Sequence, residues 1–117
     1  MVDTKQISLL YVDDEEINLL LFERSFDSLY KIYTASSGHE GLDVLENHSD
    51  EIIVVISDMR MPRMNGVEFV RRARENYRNV AYFILTGFDY NDEIDEALKN
   101  RVIHRFFTKP FNVVEIR

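Results

Sequence analysis

The sequence from Ile52 to Gly66, IIVVISDMRMPRMNG, decides the fold. Its apolar run shows no polar alternation and ends at a single acid, Asp58, which is typical of a strand buried on both faces of a sheet. Pro62 and the Asn65-Gly66 pair then predict a turn. Because open α/β sheets bind their ligands at the carboxyl ends of the strands, Asp58 is the first candidate for a reactive group.

The composition is that of one small folded domain. The chain has 117 residues, of which 45% are hydrophobic, and its longest apolar runs are far shorter than a membrane-spanning helix. It starts with the polar sequence MVDTKQ, unlike a signal peptide, and it lacks cysteine, so it forms neither disulfides nor thiolate metal sites. These features fit a cytoplasmic protein without a membrane partner. The net charge of -7 disfavours direct binding to nucleic acid.

Apolar runs alternate with amphipathic segments along the rest of the chain. The runs predict strands at Ile7–Val12, Lys31–Ala35, Ile52–Asp58, Val80–Leu85 and Ile103–Phe107. Apolar residues at helical spacing predict helices at Ile17–Phe26, His39–Asn47, Val67–Asn76 and Asn91–Asn100. Ser37 is the expected cap of the second helix, and Ile17, Leu20 and Leu21 indicate the first. A fifth helix near Asn112 is cut short at Arg117, so we expect a longer parent protein.

Strands that alternate with helices predict a doubly wound α/β fold. We expect a five-stranded parallel sheet with right-handed crossovers, helices on both faces and a truncated fifth helix. The carboxyl ends of its strands share one edge, where polar side chains can converge. Those at or just after the predicted strand ends are Asp13, Asp14, Asp58, Thr86 and Lys109.

This set of side chains suits the transfer of a phosphoryl group onto a carboxylate. Crowded carboxylates repel each other, and a hard divalent cation with oxygen ligands, Mg²⁺ or Mn²⁺, removes that repulsion. Lys109 supplies a positive charge for Asp58 or for a phosphoryl oxygen, and the Thr86 hydroxyl can donate to the same oxygen. Such a reaction needs little beyond positioning and neutralisation of charge.

Four segments, in this order, resemble the receiver domains of two-component response regulators over essentially the whole chain, 1–117. They are YVDDEE at the first strand end, SDMRMPRMNG at the third, LTG at the fourth and FFTKPF at the fifth. The resemblance implies a flavodoxin-like sheet with the strand order 2-1-3-4-5. It also implies a phosphoacceptor, rather than an enzyme, whose partner is a sensor histidine kinase or a phosphotransfer protein.

The resemblance assigns a role to each acid. Asp58 is the phosphoacceptor, and its carboxylate binds Mg²⁺ together with Asp14. The backbone carbonyl of Arg60 is a further ligand, and Asp13 acts mostly through a water molecule.

The resemblance also implies a switch. Thr86 is its hydroxyl, Lys109 its lysine and Phe106 its aromatic residue. Phosphorylation draws Thr86 and Lys109 toward the phosphoryl group and opens space for Phe106. The face formed by the fourth helix, fifth strand and fifth helix then changes shape, and it is the face on which a homodimer would form on activation.

Two positions that flank the phosphoryl group in this family carry large side chains here, Arg60 and Phe88. They hinder the attacking water, so we expect slow autodephosphorylation. Gly87 stands where the family usually has Ala, which makes the loop after Thr86 more mobile.

Three alternatives stay open. A hydrolase with an Asp nucleophile characteristically carries a second Asp two residues on, where this chain has Arg60. A flavin or nucleotide site requires backbone donors in a Gly-rich or Ser-rich first loop, where this chain has the acids Asp13–Glu16. The third alternative is a receiver-like docking module that is never phosphorylated.

Overall fold

The computed structural model describes residues 7–86, 92–101, 103 and 105–108. Of these, only the backbone is described for residues 86, 92, 93 and 105–108. Strands and helices alternate along the described residues. In chain order they are β1 (Ser8–Val12), α1 (Glu16–Phe26), β2 (Lys31–Ala35), α2 (Gly38–His48), β3 (Ile52–Asp58), α3 (Gly66–Asn76), β4 (Ala81–Thr86), α4 (Asp92–Lys99) and β5 (Arg105–Thr108). The first eight lie within one residue of the predicted bounds.

The strands β2, β1, β3 and β4 lie in this order in one parallel sheet, and the backbone of β5 runs beside β4. The predicted α/β fold with a parallel sheet is therefore confirmed for the order 2-1-3-4 and for the helices α1 to α4. The predicted fifth helix near Asn112 lies outside the described residues. Every helix in the described part of the chain is too short or too polar to cross a membrane.

Alternate residues of β1 pack on opposite faces of the sheet, and each face carries a hydrophobic cluster. On one face Tyr11 packs with Phe22 and Phe26 of α1. On the other face Leu10 and Val12 pack in a cluster with residues of α2, α3 and α4, namely Leu45, Phe69, Val70, Ala73, Ile94 and Ala97. Helices therefore cover both faces, and each buried aliphatic or aromatic side chain stabilises the fold by roughly 1.5–3 kcal/mol.

Helix α1 forms where it was predicted, but the residues that indicated it do not face the sheet. Ile17, Leu20 and Leu21 are 57%, 44% and 50% exposed, whereas Phe22 and Phe26 are buried. Helical spacing identifies apolar stripes on a helix, and α1 has two of them, one with Ile17, Leu20 and Leu21 and one with Phe22 and Phe26. The larger aromatic residues occupy the buried one.

The central strand β3 is buried from Val55 onward, but Ile53 is 49% exposed. The expectation of burial on both faces is therefore wrong at the start of this strand. The register between β1 and β3 shifts there, because Ser8 lies opposite Ile52 and Leu9 lies opposite Val54. Ile53 is thus left without a partner residue in β1.

Side chains cap two of the helices. The predicted cap Ser37 accepts a hydrogen bond of 3.0 Å from the backbone N–H of Glu40. Asn65 accepts one of 2.9 Å from the backbone N–H of Glu68 at the start of α3. Each cap contributes about 1 kcal/mol. The cap at Asn65 also fixes the end of the loop that follows Asp58.

Candidate functional site

The sheet register places Asp58 beside Asp13. Val12 ends β1 opposite Ser57 of β3, so Asp13, which follows β1, and Asp58, the last residue of β3, come at the same edge of the sheet. The carboxylates of Asp13, Asp14 and Asp58 offer oxygen atoms that all lie within 4.8 Å of one another. The structure thus brings together the three acids that the sequence placed at this edge.

The three acids differ in exposure. Asp13 and Asp58 are 0% and 5% exposed, whereas Asp14 is exposed. A buried carboxylate is costly unless hydrogen bonds or a cation compensate its charge. Two buried acids next to an exposed one therefore favour a bound cation, which would compensate their charge.

Asp13 accepts two hydrogen bonds from its own chain. The hydroxyl of Tyr11 donates to Oδ2 over 2.7 Å, and the backbone N–H of Glu15 donates to Oδ1 over 2.9 Å. Burial and the hydrogen bond to Asp13 raise the pKa of Tyr11 far above its ordinary value, so the hydroxyl keeps its proton and remains a donor. Tyr11 is a site residue that was not predicted, although strand spacing puts residues 11 and 13 on the same side.

The loop after Asp58 is held close to the end of β3. The backbone N–H of Gly66 donates to the carbonyl of Met59 over 2.8 Å, which closes the loop. The Ser57 hydroxyl donates to the Asp58 carbonyl over 2.9 Å. A side chain at position 66 would collide with that same carbonyl oxygen. The close approach therefore requires glycine at position 66.

Within this loop, three residues form a tight turn. The backbone N–H of Met64 donates to the carbonyl of Pro62 over 2.7 Å, and Arg63 between them has a φ of 70°. This is a γ-turn of the strained, positive-φ kind. Met61 and Met64 are 8% and 2% exposed, so their side chains anchor the turn to the core.

The remaining predicted site residues are placed only in part. The Arg60 side chain is exposed, and its backbone follows Asp58 by two residues. Thr86 ends β4 with its backbone opposite Thr108, and Phe106 lies opposite Ile84. The predicted roles of these side chains stay predictions. Those of Lys109, Gly87 and Phe88 fall outside the described residues.

The donor set suits a hard divalent cation. All three acids offer carboxylate oxygens, which are the ligands that Mg²⁺ prefers. Mg–O distances of about 2.0–2.1 Å put neighbouring ligand oxygens about 3 Å apart and opposite ones about 4 Å apart. The carboxylate oxygens all lie within 4.8 Å of one another, which is compatible with direct ligation and with ligation through water.

Residues 9–117 match the family model described as the response regulator receiver domain. The chain is 30% identical over 110 residues to sporulation initiation phosphotransferase F from Bacillus subtilis, which covers 93% of this chain and 86% of that protein. It is 28% identical over 107 residues to the hydrogenase transcriptional regulatory protein HoxA from Cupriavidus necator, which covers 92% of this chain and 22% of that protein. Relatives also include the sensor kinase CckA from Brucella abortus and the virulence sensor protein BvgS from Bordetella bronchiseptica, of which the chain spans 12% and 8%.

The fold is also found in solved structures. The chemotaxis protein CheY4 from Vibrio cholerae has a TM-score of 0.82 to this chain at 29% identity, over 92% of this chain and 89% of that one. A receiver domain protein from Clostridium thermocellum has the same TM-score of 0.82 at 28% identity, over 93% of this chain and 86% of that one.

Proposed function

Because this chain belongs to the response regulator receiver domain family, we propose that it is the phosphoacceptor in a two-component phosphorelay. Asp58 receives the phosphoryl group from a phosphohistidine of a sensor histidine kinase or a phosphotransfer protein. The observation that carries the proposal is the grouping of Asp58 with Asp13 and Asp14 at the ends of β1 and β3. Relatives that are phosphotransferases and sensor kinases support the same class of partner.

The transfer exchanges one bond to phosphorus for another. A carboxylate oxygen of Asp58 attacks, a P–O bond forms, and the P–N bond to the donor histidine breaks with its electron pair left on the imidazole. Asp14, the Asp58 carboxylate and the Arg60 carbonyl would hold Mg²⁺ or Mn²⁺ directly, and Asp13 would act mostly through a water molecule. When bound, this cation neutralises charge on the oxygens of the transferred group. The domain assists its own phosphorylation and dephosphorylation and is not otherwise an enzyme.

The phosphoryl group then acts as a local charge of about -2 that biases a two-state element. Thr86 and Lys109 move toward it, and Phe106 occupies the space that Thr86 leaves. The backbone pairing of β4 with β5, in which Ile84 lies opposite Phe106, is compatible with this coupling. In a sheet of the order 2-1-3-4-5, the face of the fourth helix, fifth strand and fifth helix changes and controls an output, a partner or a homodimer.

The domain acts in the cytoplasm and contacts other proteins rather than nucleic acid or a membrane. The net charge of -7 supports the choice of partners, because an acidic surface is repelled by phosphate backbones and anionic headgroups.

The acyl phosphate on Asp58 is long-lived. Arg60, whose side chain is exposed two residues after Asp58, and Phe88, which the resemblance puts beside the phosphoryl group, would hinder the approach of water to phosphorus. Replacing Arg60 by Gly is expected to shorten the half-life measured in purified protein with Mg²⁺. A wild-type half-life of seconds would contradict this part of the proposal.

The proposal is tested with a small acyl-phosphate donor and Mg²⁺, followed by intact mass spectrometry. The wild-type protein is expected to gain one phosphoryl group that hydroxylamine removes, as an acyl phosphate requires. Asp58→Asn should gain none. Asp43→Asn, which removes an exposed acid on α2 outside the group, is the matched control and should behave as wild type.

Phosphoryl uptake by Asp58→Asn would refute the assignment of the phosphoacceptor. A folded wild-type protein that takes up no phosphoryl group would support the alternative of a docking module that is not regulated by phosphorylation.

A further inference from the structure

We infer that Tyr11 is a positioning residue for the acidic site. Its hydroxyl holds the Asp13 carboxylate in the direction from which Asp13 meets the cation or its water ligand. The inference rests on the cation part of the proposed function and is independent of phosphoryl transfer to Asp58.

Two donors fix the plane of the Asp13 carboxylate. Tyr11 donates to one oxygen over 2.7 Å, and the backbone N–H of Glu15 donates to the other over 2.9 Å. Rotation about the bond that carries the carboxylate would break both hydrogen bonds. Asp13 therefore meets the cation in a fixed orientation.

The phenol of Tyr11 is itself held in place. The residue is 0% exposed and belongs to β1, which lies between β2 and β3 in the sheet. Its ring stacks on that of Phe22, with the ring centroids 4.1 Å apart and the planes inclined by 12°. The ring centroids of Phe22 and Phe26 are 4.7 Å apart. The hydroxyl cannot swing away without disturbing this aromatic stack. The hydrophobic cluster under α1 thus sets the position of a polar donor at the site.

Groups that hydrogen-bond to a metal ligand without contacting the metal contribute strongly to metal affinity, since their loss typically weakens binding by about 10- to 100-fold. Tyr11→Phe removes the donor and leaves the ring and its stacking partner in place. We expect this variant to bind the cation about 10- to 100-fold more weakly than wild type.

The experiment measures Mn²⁺ affinity by the electron paramagnetic resonance signal of free Mn²⁺, and Mg²⁺ affinity by competition. The matched control is Tyr82→Phe. Tyr82 is equally buried, and its hydroxyl donates over 2.7 Å to the carbonyl of Tyr77, a residue that lies between α3 and β4. This control loses the same atom away from the acids and should bind Mn²⁺ as wild type does.

A second measurement uses the wild-type protein alone. The hydroxyl proton of Tyr11, buried and hydrogen-bonded, is expected as a slowly exchanging NMR resonance that shifts when Mg²⁺ is added. No shift on saturation would overturn the inference. So would a Tyr11→Phe protein that loses stability but binds Mn²⁺ with wild-type affinity, because the role of Tyr11 would then be structural only.

The two proposals fail in different ways. Wild-type protein that binds Mn²⁺ but takes up no phosphoryl group refutes the proposed function, while weaker Mn²⁺ binding by Tyr11→Phe still supports the role of Tyr11. Wild-type protein that binds no divalent cation overturns both.

Discussion

Alanine replacements of two glycines test whether the backbone of Asp58 is as tightly packed as the structure shows. Gly66 and Gly38 are both the first residue of a helix, and both follow a capping side chain, Asn65 and Ser37. A new Cβ meets different neighbours at the two sites. At Gly66 it meets the carbonyl oxygen of Asp58, whereas at Gly38 it meets side-chain atoms of Met64.

The difference between the neighbours sets the size of the effect. Overpacking against fixed atoms costs about 1–3 kcal/mol, and replacing Gly by Ala in a helix returns up to about 1 kcal/mol. At Gly66 the nearest obstacles include backbone atoms, with the Met59 Cα at 3.0 Å, so the cost remains. At Gly38 the Met64 side chain has three rotatable bonds and can move away. We expect Gly66→Ala to be about 1–2 kcal/mol less stable than Gly38→Ala.

Urea denaturation of the two variants and of the wild-type protein measures this difference directly. Gly66→Ala should also slow phosphoryl uptake, because the new Cβ displaces the backbone of the phosphoacceptor Asp58. Equal unfolding free energies for the two variants, or a greater loss for Gly38→Ala, would refute the packing described around Asp58.

Three further predictions follow from other features. Arg63→Gly should raise the unfolding free energy by about 0.5–1 kcal/mol, because a side chain at a φ of 70° is strained, and a lower melting temperature would contradict this. The hydrogen bond from Tyr33 is the main cause that lowers the pKa of Glu51. A carboxyl whose pKa is lowered by folding stabilises the fold at a pH above its ordinary pKa of 4.5, and this contribution is lost as the pH falls. Tyr33→Phe should therefore have a lower unfolding free energy than wild type at neutral pH, and the two unfolding free energies should converge in acid. Mg²⁺ at about ten times its Kd should raise the unfolding free energy of the wild type by about 1.4 kcal/mol, and a chelator should reverse this gain. Asp58→Asn should gain little stability from Mg²⁺. A gain equal to that of the wild type would contradict a cation site at Asp58.

The elements and the acidic group were predictable because both depend on local sequence. Uninterrupted apolar runs mark buried strands, and Asp13, Asp14 and Asp58 stand where two such runs end. Parallel strands release their carboxyl ends at one edge, so proximity of the acids follows from topology alone. The exact neighbours of the acids do not follow from topology.

The features that were not predicted depend on which surfaces meet. Two apolar stripes on α1 look alike in sequence, and the packing of Phe22 against Tyr11 decides which is buried. The same contact fixes the phenol that donates to Asp13, so this hydrogen bond was also not predictable. The exposed Ile53 likewise lies at a shift in the register between β1 and β3, which no spacing within one strand reveals.

The order of the strands has a consequence for the synthesis of the chain. The strand β1 lies between β2 and β3, and all three precede residue 59, so Asp13, Asp14 and Asp58 have all been synthesised before β4 is translated. Thr86 and Lys109 belong to the later part of the chain, which contacts the earlier part through the pairing of β3 with β4 and the packing of α3 on β4 and α4. A chain divided between α3 and β4 therefore separates into one fragment that carries the three acids and one that carries the hydroxyl and the lysine. Mixing the two fragments tests whether these contacts restore the fold without a covalent link between α3 and β4.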